Sequence, residues 1–239
     1  MPMPDAAKAG LLRALGCLVR GLSTLFWGLG LMALVCLQLA RAQTAETAWL
    51  ESFGRLAFVP ALILSGMLWR GLRLLRAFQP QERIWRRALD RAEALAVTGA
   101  GLSPFLFWWH QFPAVPLFAA GAGLLFLSSL GLLMQINAVL RRLCAMLPDE
   151  TLRAETKLFT ACNLTLLFAI FAGLGCGFLL SKLPGLPVFA RGLLAAAGGG
   201  GIWFALLLAL LPLTMTMALV WKIKEVVFSS LLAASGGSN

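Results

Sequence analysis

The stretch VPLFAAGAGLLFLSSLGLLMQINAV, residues 115–139, runs for 25 positions without a charged side chain. An α-helix rises about 1.5 Å per residue, so roughly 20 apolar residues cross the hydrocarbon core of a bilayer. This length and composition predict a transmembrane helix. Its flanks agree, because Pro113 and Pro116 favour a turn on one side, while the charged residues Arg141 and Arg142 follow on the other.

The composition extends this interpretation to the whole chain. Of 239 residues, 60% are hydrophobic and 13% charged, and the mean hydropathy is +0.86. A soluble domain of this size has too much surface to be so apolar. Five further apolar blocks recur, the third block of the chain being short and interrupted by Pro104. We therefore predict an all-α integral membrane protein, a bundle of six transmembrane helices, with spans near Leu22–Ala40, Phe53–Ala77, Ala94–Trp109, Val115–Val139, Leu158–Leu180 and Ala195–Trp221.

The basic residues predict the orientation of the bundle. The formal net charge is +10, and 16 of the 20 Lys and Arg residues fall in the two termini, the 70–92 gap and the 141–157 gap. Cytoplasmic loops carry such an excess, so both termini and these two gaps should be cytoplasmic. Their partners should be the anionic headgroups of the bilayer rather than nucleic acid, because the cations lie between apolar blocks.

Two pairs of similar stretches predict an internal repeat. LRLLRAFQPQE (72–82) matches LRRLCAMLPDE (140–150) at an offset of 68, and FPAVPLFAAG (112–121) matches LPGLPVFARG (183–192) at an offset of 71. Nearly equal offsets indicate a duplicated helical hairpin. We therefore predict one membrane domain, 1–239, made of tandem hairpins at 22–77, 78–144 and 145–230, followed by a flexible tail at 231–239. The first helix is expected to be retained rather than cleaved as a signal.

The residues that usually carry chemistry are sparse. His110 is the only histidine, and it follows two tryptophans at the end of an apolar block, which is typical of an interfacial residue. The alternative, a ligand or general base, lacks a second histidine or a nearby carboxylate. All acidic residues lie at block edges or in gaps, and the five cysteines form no C-x-x-C pair. We expect no enzyme activity, no cofactor and no metal.

Neutral polar residues form the candidate site. Counting from the basic gaps places six of them at a similar depth in three spans: Gln135, Asn137, Asn163, Thr165, Thr214 and Thr216. This belt is either a set of interhelical hydrogen bonds or the lining of a polar path. Small residues suggest helix packing as well, at Gly173, Gly177, Gly198, Gly199, Gly200 and Gly201.

Two functions remain open at this stage. The absence of ionisable residues deep in the spans favours a non-catalytic, multi-pass protein of a bacterial inner (plasma) membrane. It would be a structural or accessory subunit that contacts other membrane subunits. The alternative is a small transporter or channel for a neutral or polar solute, which would use the polar belt.

Overall fold

A computed structural model describes residues 5–44, 56, 58–79, 81–112, 114–147, 150–182 and 201–236. The regular structure of these residues is entirely helical. Seven helices occur in the described ranges: α1 (Asp5–Thr44), α2 (Phe58–Leu75), α3 (Arg83–Leu102), α4 (Pro104–Gln111), α5 (Pro116–Met146), α6 (Glu150–Lys182) and α7 (Gly201–Gly236). The prediction of an all-α protein is confirmed in this part of the chain.

Five of these helices are long and apolar enough to cross a membrane: the segments are Leu12–Gln38, Phe58–Leu75, Pro116–Met146, Arg153–Gly173 and Leu206–Leu232. They correspond to five of the six predicted spans. The other predicted span, Ala94–Trp109, is divided between α3 and α4. Pro104 has no N–H to continue the hydrogen bonding of α3, so the helix is interrupted at Ser103, although Ser103 keeps helical backbone angles.

Two helices extend beyond the spans predicted above. Helix α3 begins at Arg83, well before the apolar block, because its first three turns form an amphipathic helix that buries Trp85, Leu89 and Ala92. Helix α7 continues to Gly236, so the predicted flexible tail is helical over its described part. The second outer turn of the proposed repeat, residues 183–192, lies outside the described residues.

Helices α1 and α2 form the most closely packed pair. Each contributes leucines spaced three and four residues apart, which places them on one face: Leu18, Leu22, Leu25 and Leu29 on α1, and Leu64, Leu68, Leu72 and Leu75 on α2. The backbones approach at Gly21 and Gly71. A Cβ added to Gly71 would lie 2.9 Å from Leu25 Cδ2 and 3.3 Å from the Gly21 carbonyl oxygen, so neither position has room for a side chain.

The remaining contacts close the helices into a ring. Helix α1 packs against α2 and α7, α2 against α3, α3 against α5, and α6 against both α5 and α7. Helix α5 also touches α7 directly. A continuous hydrophobic core follows the inside of this ring, from Leu18 on α1 to Val227 on α7. This ring brings α5, α6 and α7 together, and these helices carry the predicted polar belt.

Candidate functional site

Three polar side chains from three helices meet inside the bundle: Asn137 of α5, Asn163 of α6 and Thr216 of α7. Each is at most 1% exposed. Asn137 Nδ2 donates a hydrogen bond to Thr216 Oγ1 at 2.9 Å, and Asn163 Nδ2 donates to the same oxygen at 2.8 Å. Asn163 Nδ2 also donates to Asn137 Oδ1 at 3.0 Å. We call these three residues the polar cluster.

Hydrogen bonds to the backbone determine which way the two carboxamides of the polar cluster point. Asn137 Nδ2 donates to the Leu133 carbonyl at 2.9 Å, so this end of the side chain has to be the nitrogen. Its oxygen therefore faces Asn163, and it requires the donor that Asn163 Nδ2 supplies. As a result, Asn163 Oδ1 lies at the other end of its carboxamide. It is buried and has no hydrogen-bond partner among the described residues.

Pro212 explains why α7 takes part in this cluster. Its carbonyl accepts a hydrogen bond from the Thr216 hydroxyl at 2.7 Å, and it lies 3.2 Å from Asn163 Nδ2, whose two hydrogens are shared among three acceptors. A side chain of α6 is thus bonded to the backbone of α7. Pro212 is not among the predicted site residues, although a proline within the apolar block Ala195–Trp221 is visible in the sequence. Neighbouring side chains often satisfy backbone groups where a proline disturbs a membrane helix.

The structure brings together three of the six predicted belt residues. Thr165 and Thr214 are exposed, and their hydroxyls donate to carbonyls of their own helices, those of Ala161 and Leu211, each at 2.9 Å. Gln135 is half-buried. The belt is therefore a compact cluster rather than a ring of polar groups around the bundle.

Two further threonines extend the polar cluster along α6. Thr156 and Thr160 are fully buried, and with Asn163 they follow a spacing of four and three residues on one helix face. Thr156 Oγ1 donates to Cys144 Sγ of α5 at 3.3 Å, whereas Thr160 Oγ1 has no partner among the described residues. Neither threonine is among the predicted site residues: Thr156 falls in the basic gap at 141–157, and Thr160 falls near the start of the predicted span Leu158–Leu180.

The described residues show no close helix contact at the predicted packing glycines. A Cβ at Gly173 would meet nothing within 4 Å. The surroundings of Gly177, and all of Gly198, Gly199 and Gly200, lie outside the described residues, and Gly201 is the first residue of α7. Packing through Gly173 and Gly177 therefore stays a prediction, while the structure shows two helix backbones approaching closely at Gly21 and Gly71.

A cavity of about 190 Å³ lies between α1, α2, α3, α5 and α7, next to the polar cluster. Leu133 and Leu213 line it, each within one turn of a cluster residue. Its polar lining consists mainly of Ser65, Ser128 and Ser129, whose hydroxyls donate to carbonyls of their own helices at 2.8–2.9 Å. The cavity therefore presents a largely apolar wall with few free hydrogen-bonding groups.

Ion pairs join the helix ends that the sequence predicts to be cytoplasmic. Arg76, in the turn after α2, pairs with Asp90 of α3, Arg142 of α5 pairs with Glu82, and Lys222 of α7 pairs with Glu155 of α6. We call this the basic end of the bundle. Arg153 also donates to the Leu147 carbonyl at 3.1 Å, where α5 stops, and so satisfies a helix-terminal acceptor.

His110 and the metal-ligating residue types do not form a centre in the described ranges. His110 is exposed in the last turn of α4. Among the described residues, no three His, Cys, Asp or Glu side chains are placed to hold a metal ion. The interfacial interpretation of His110 stays a prediction.

The chain was compared with protein-family models, with curated proteins and with solved structures. No protein-family model, curated protein or solved structure matches the chain.

Proposed function

We propose that this chain is a non-catalytic, multi-pass protein of a bacterial inner membrane that acts as a structural or accessory subunit of a membrane complex. The observation that carries the proposal is the hydrogen bonding of the polar cluster. Among the described residues, every hydrogen bond of the Asn137 and Thr216 side chains goes to a group within the bundle, and so does every hydrogen bond of Asn163 Nδ2. Side chains used in this way hold α5, α6 and α7 together instead of lining a path for a solute.

The surface of the basic end supports a role in contacts with other molecules. Helix α3 buries one stripe and exposes the opposite one, on which four arginines lie: Arg83, Arg86, Arg87 and Arg91. Arginine binds carboxylates and phosphates through a planar fork of donors. In the proposed orientation this stripe faces the cytoplasmic headgroups, so anionic lipids and acidic segments of partner subunits are the ligands it fits.

The orientation itself is tested by reporters of membrane side. A reporter fused after Asn239, or inserted between residues 79 and 82, should read cytoplasmic, because Glu82 belongs to the basic end and Lys222 of the last helix pairs there as well. A reporter near Gln43 or at Ala114 should read external. An external reading in the 79–82 turn would reverse the bundle and would require a different number of spans.

Extraction in a mild detergent tests the subunit proposal. We expect the tagged chain to elute at a size well above 25.7 kDa plus its detergent belt, together with other polypeptides in fixed ratio. Because polar and lipid-mediated contacts between membrane subunits are weak individually, a harsher detergent should release the monomer. Cells that express only the tag provide the control. A homogeneous monomer in the mild detergent would contradict the proposal.

The alternative function is transport of a small neutral or polar solute. Two observations favour it: the cavity of about 190 Å³ beside the polar cluster, and Asn163 Oδ1, for which the described part of the chain supplies no hydrogen-bond partner. A solute that moved between the cavity and the basic end would pass the buried face of α6. The apolar cavity wall is the weakness of this alternative, because it offers a polar solute little compensation for lost hydration.

Cysteine labelling separates the two functions. Single cysteines at positions 135, 163 and 216 are introduced in a variant that lacks the five native cysteines. Water-soluble thiol reagents should leave positions 163 and 216 unlabelled, because an interior closed to bulk water excludes the reagent and disfavours the charged thiolate that reacts with it. A cysteine at the exposed position 83 is the positive control, and one at 165, exposed on the lipid-facing side of α6, is the negative control. Labelling at two or more of the three test positions in folded protein would favour transport.

A further inference from the structure

Two buried polar groups on the same face of α6 lack a partner. Asn163 Oδ1 can only accept a hydrogen bond, and it has no donor among the described residues. Thr160 Oγ1, one turn nearer the basic end, is likewise unpaired in the described part of the chain. The two residues are 1% and 0% exposed. Leaving such groups unpaired costs about 1–3 kcal/mol each, so native proteins usually supply a partner or an ordered water.

The spacing of these groups fits one small molecule between them. Side chains three residues apart on a helix have Cβ atoms about 5–6 Å apart, and helical side chains lean towards the N-terminus. Asn163 therefore leans towards Thr160, yet the two make no direct hydrogen bond. Two hydrogen bonds of about 2.8 Å through a single oxygen span such a gap. We propose that Thr160 and Asn163 hold one buried water molecule, which donates to Asn163 Oδ1 and accepts from the Thr160 hydroxyl.

Water is the ligand class that the chemistry selects. The site needs a molecule that both donates and accepts, and neither named group carries a charge that would attract an ion. Glu155, which is exposed and pairs with Lys222, is five residues from Thr160, so the site is only about 8 Å along α6 from charged, hydrated groups. The water would complete the polar cluster, because it satisfies the one carboxamide oxygen that the three helices leave without a donor.

The isosteric substitution Thr160→Val tests the proposal by the sign of its effect. If the water is present, valine removes one of its two partners and strands Asn163 Oδ1, so the midpoint of thermal unfolding in detergent should fall by about 2–4 °C. If the hydroxyl is truly unpaired, valine removes a buried polar group and the midpoint should stay the same or rise. Thr165→Val is the matched control, because the Thr165 hydroxyl is exposed and bonds its own helix; it should leave the midpoint unchanged.

Infrared spectroscopy detects the water directly and does not depend on the stability of a variant. The wild-type protein should show a sharp O–H stretching band of an internal water that moves to lower frequency in water labelled with the heavy oxygen isotope. Thr160→Ser, which keeps the hydroxyl, should retain the band, and Thr160→Val should lose it. A wild-type spectrum without such a band, or an unfolding midpoint that does not fall in Thr160→Val, would overturn the proposal.

Discussion

Leucine in place of Gly71 should separate α1 from α2 and remove most of the folded protein. A Cβ at this position would lie 2.9 Å from both Cγ and Cδ2 of Leu25, and 3.3 Å from the carbonyl oxygen of Gly21. Leu25 is fully buried and the Gly21 oxygen belongs to a helix backbone, so neither can move aside cheaply. Overpacking of this kind costs about 1–3 kcal/mol for extra methylene groups, and a whole leucine against a backbone should exceed that range.

Gly66 provides the matched control on the same helix. It is exposed, and a Cβ there would meet nothing within 4 Å. Replacing a helical glycine removes backbone freedom from the unfolded chain, so Gly66→Ala should stabilise the protein by about 0.5–1 kcal/mol. Gly71→Ala gains the same term but adds the clash with Leu25, and it should be destabilising. The folded fraction after detergent extraction and the unfolding midpoint measure both. Equal effects at 66 and 71 would show that α1 and α2 do not approach at Gly71.

Composition and periodicity predict most of the fold because a bilayer imposes simple requirements. Five apolar blocks of sufficient length become helices that are long enough to span it. The Ala94–Trp109 block fails to give one continuous helix because Pro104 interrupts its hydrogen bonding, a signal that is present in the sequence. The length of α3, however, depends on the amphipathic turns that precede this block. Helix α3 begins at Arg83 because Trp85 and Leu89 are buried against other helices. This burial cannot be predicted from the local sequence.

The sequence predicts the depth of the site residues along their helices, but not which way each side chain points. Counting residues places six polar groups at one level, yet successive helical residues turn by about 100°, so positions two apart point almost oppositely. Only one member of each pair can therefore face the interior. Asn137, Asn163 and Thr216 do so, while Thr165 and Thr214 point outward. Which member is buried depends on how each helix is rotated by its neighbours. The surrounding residues are apolar on every side, so the sequence does not show that rotation.

The packing glycines illustrate the same limit. Gly173 and Gly177 match a familiar helix-contact spacing within one helix. A close approach of two backbones in the described structure instead joins Gly21 and Gly71, which lie on different helices and match no spacing rule. A single sequence identifies small residues, but it does not identify which pairs face each other. The leucines of α1 and α2 recur every three or four residues, and Gly21 and Gly71 each adjoin one of them that is buried. A glycine beside such a leucine face is the signal in the sequence that would have predicted this pair.

The substitution Trp85→Ala should produce the second large effect, a loss of about 3–5 kcal/mol in the free energy of unfolding. Trp85 is the largest fully buried side chain in the described residues, although tryptophans of membrane proteins usually lie at the interface. It sits in the first turn of α3, where Arg83, Arg86 and Arg87 face solvent. Alanine would leave a cavity next to charged, hydrated groups, so water should enter and the first turns of α3 should detach from the bundle.

Two controls connect this effect to burial rather than to residue type. Trp109 is 38% exposed on α4, so Trp109→Ala removes the same side chain from the surface and should change the unfolding free energy little. Trp85→Phe keeps an aromatic ring and deletes an indole N–H that has no hydrogen-bond partner among the described residues, so its cost should be well below that of alanine.

Proteolysis from the basic end is an independent measurement, because cleavage at Arg86 or Arg87 requires α3 to open locally. Faster cleavage in Trp85→Ala, but not in Trp109→Ala, is expected. Equal losses of stability in these two variants would show that Trp85 does not anchor α3, and the basic end would then depend mainly on ion pairs such as Arg142–Glu82.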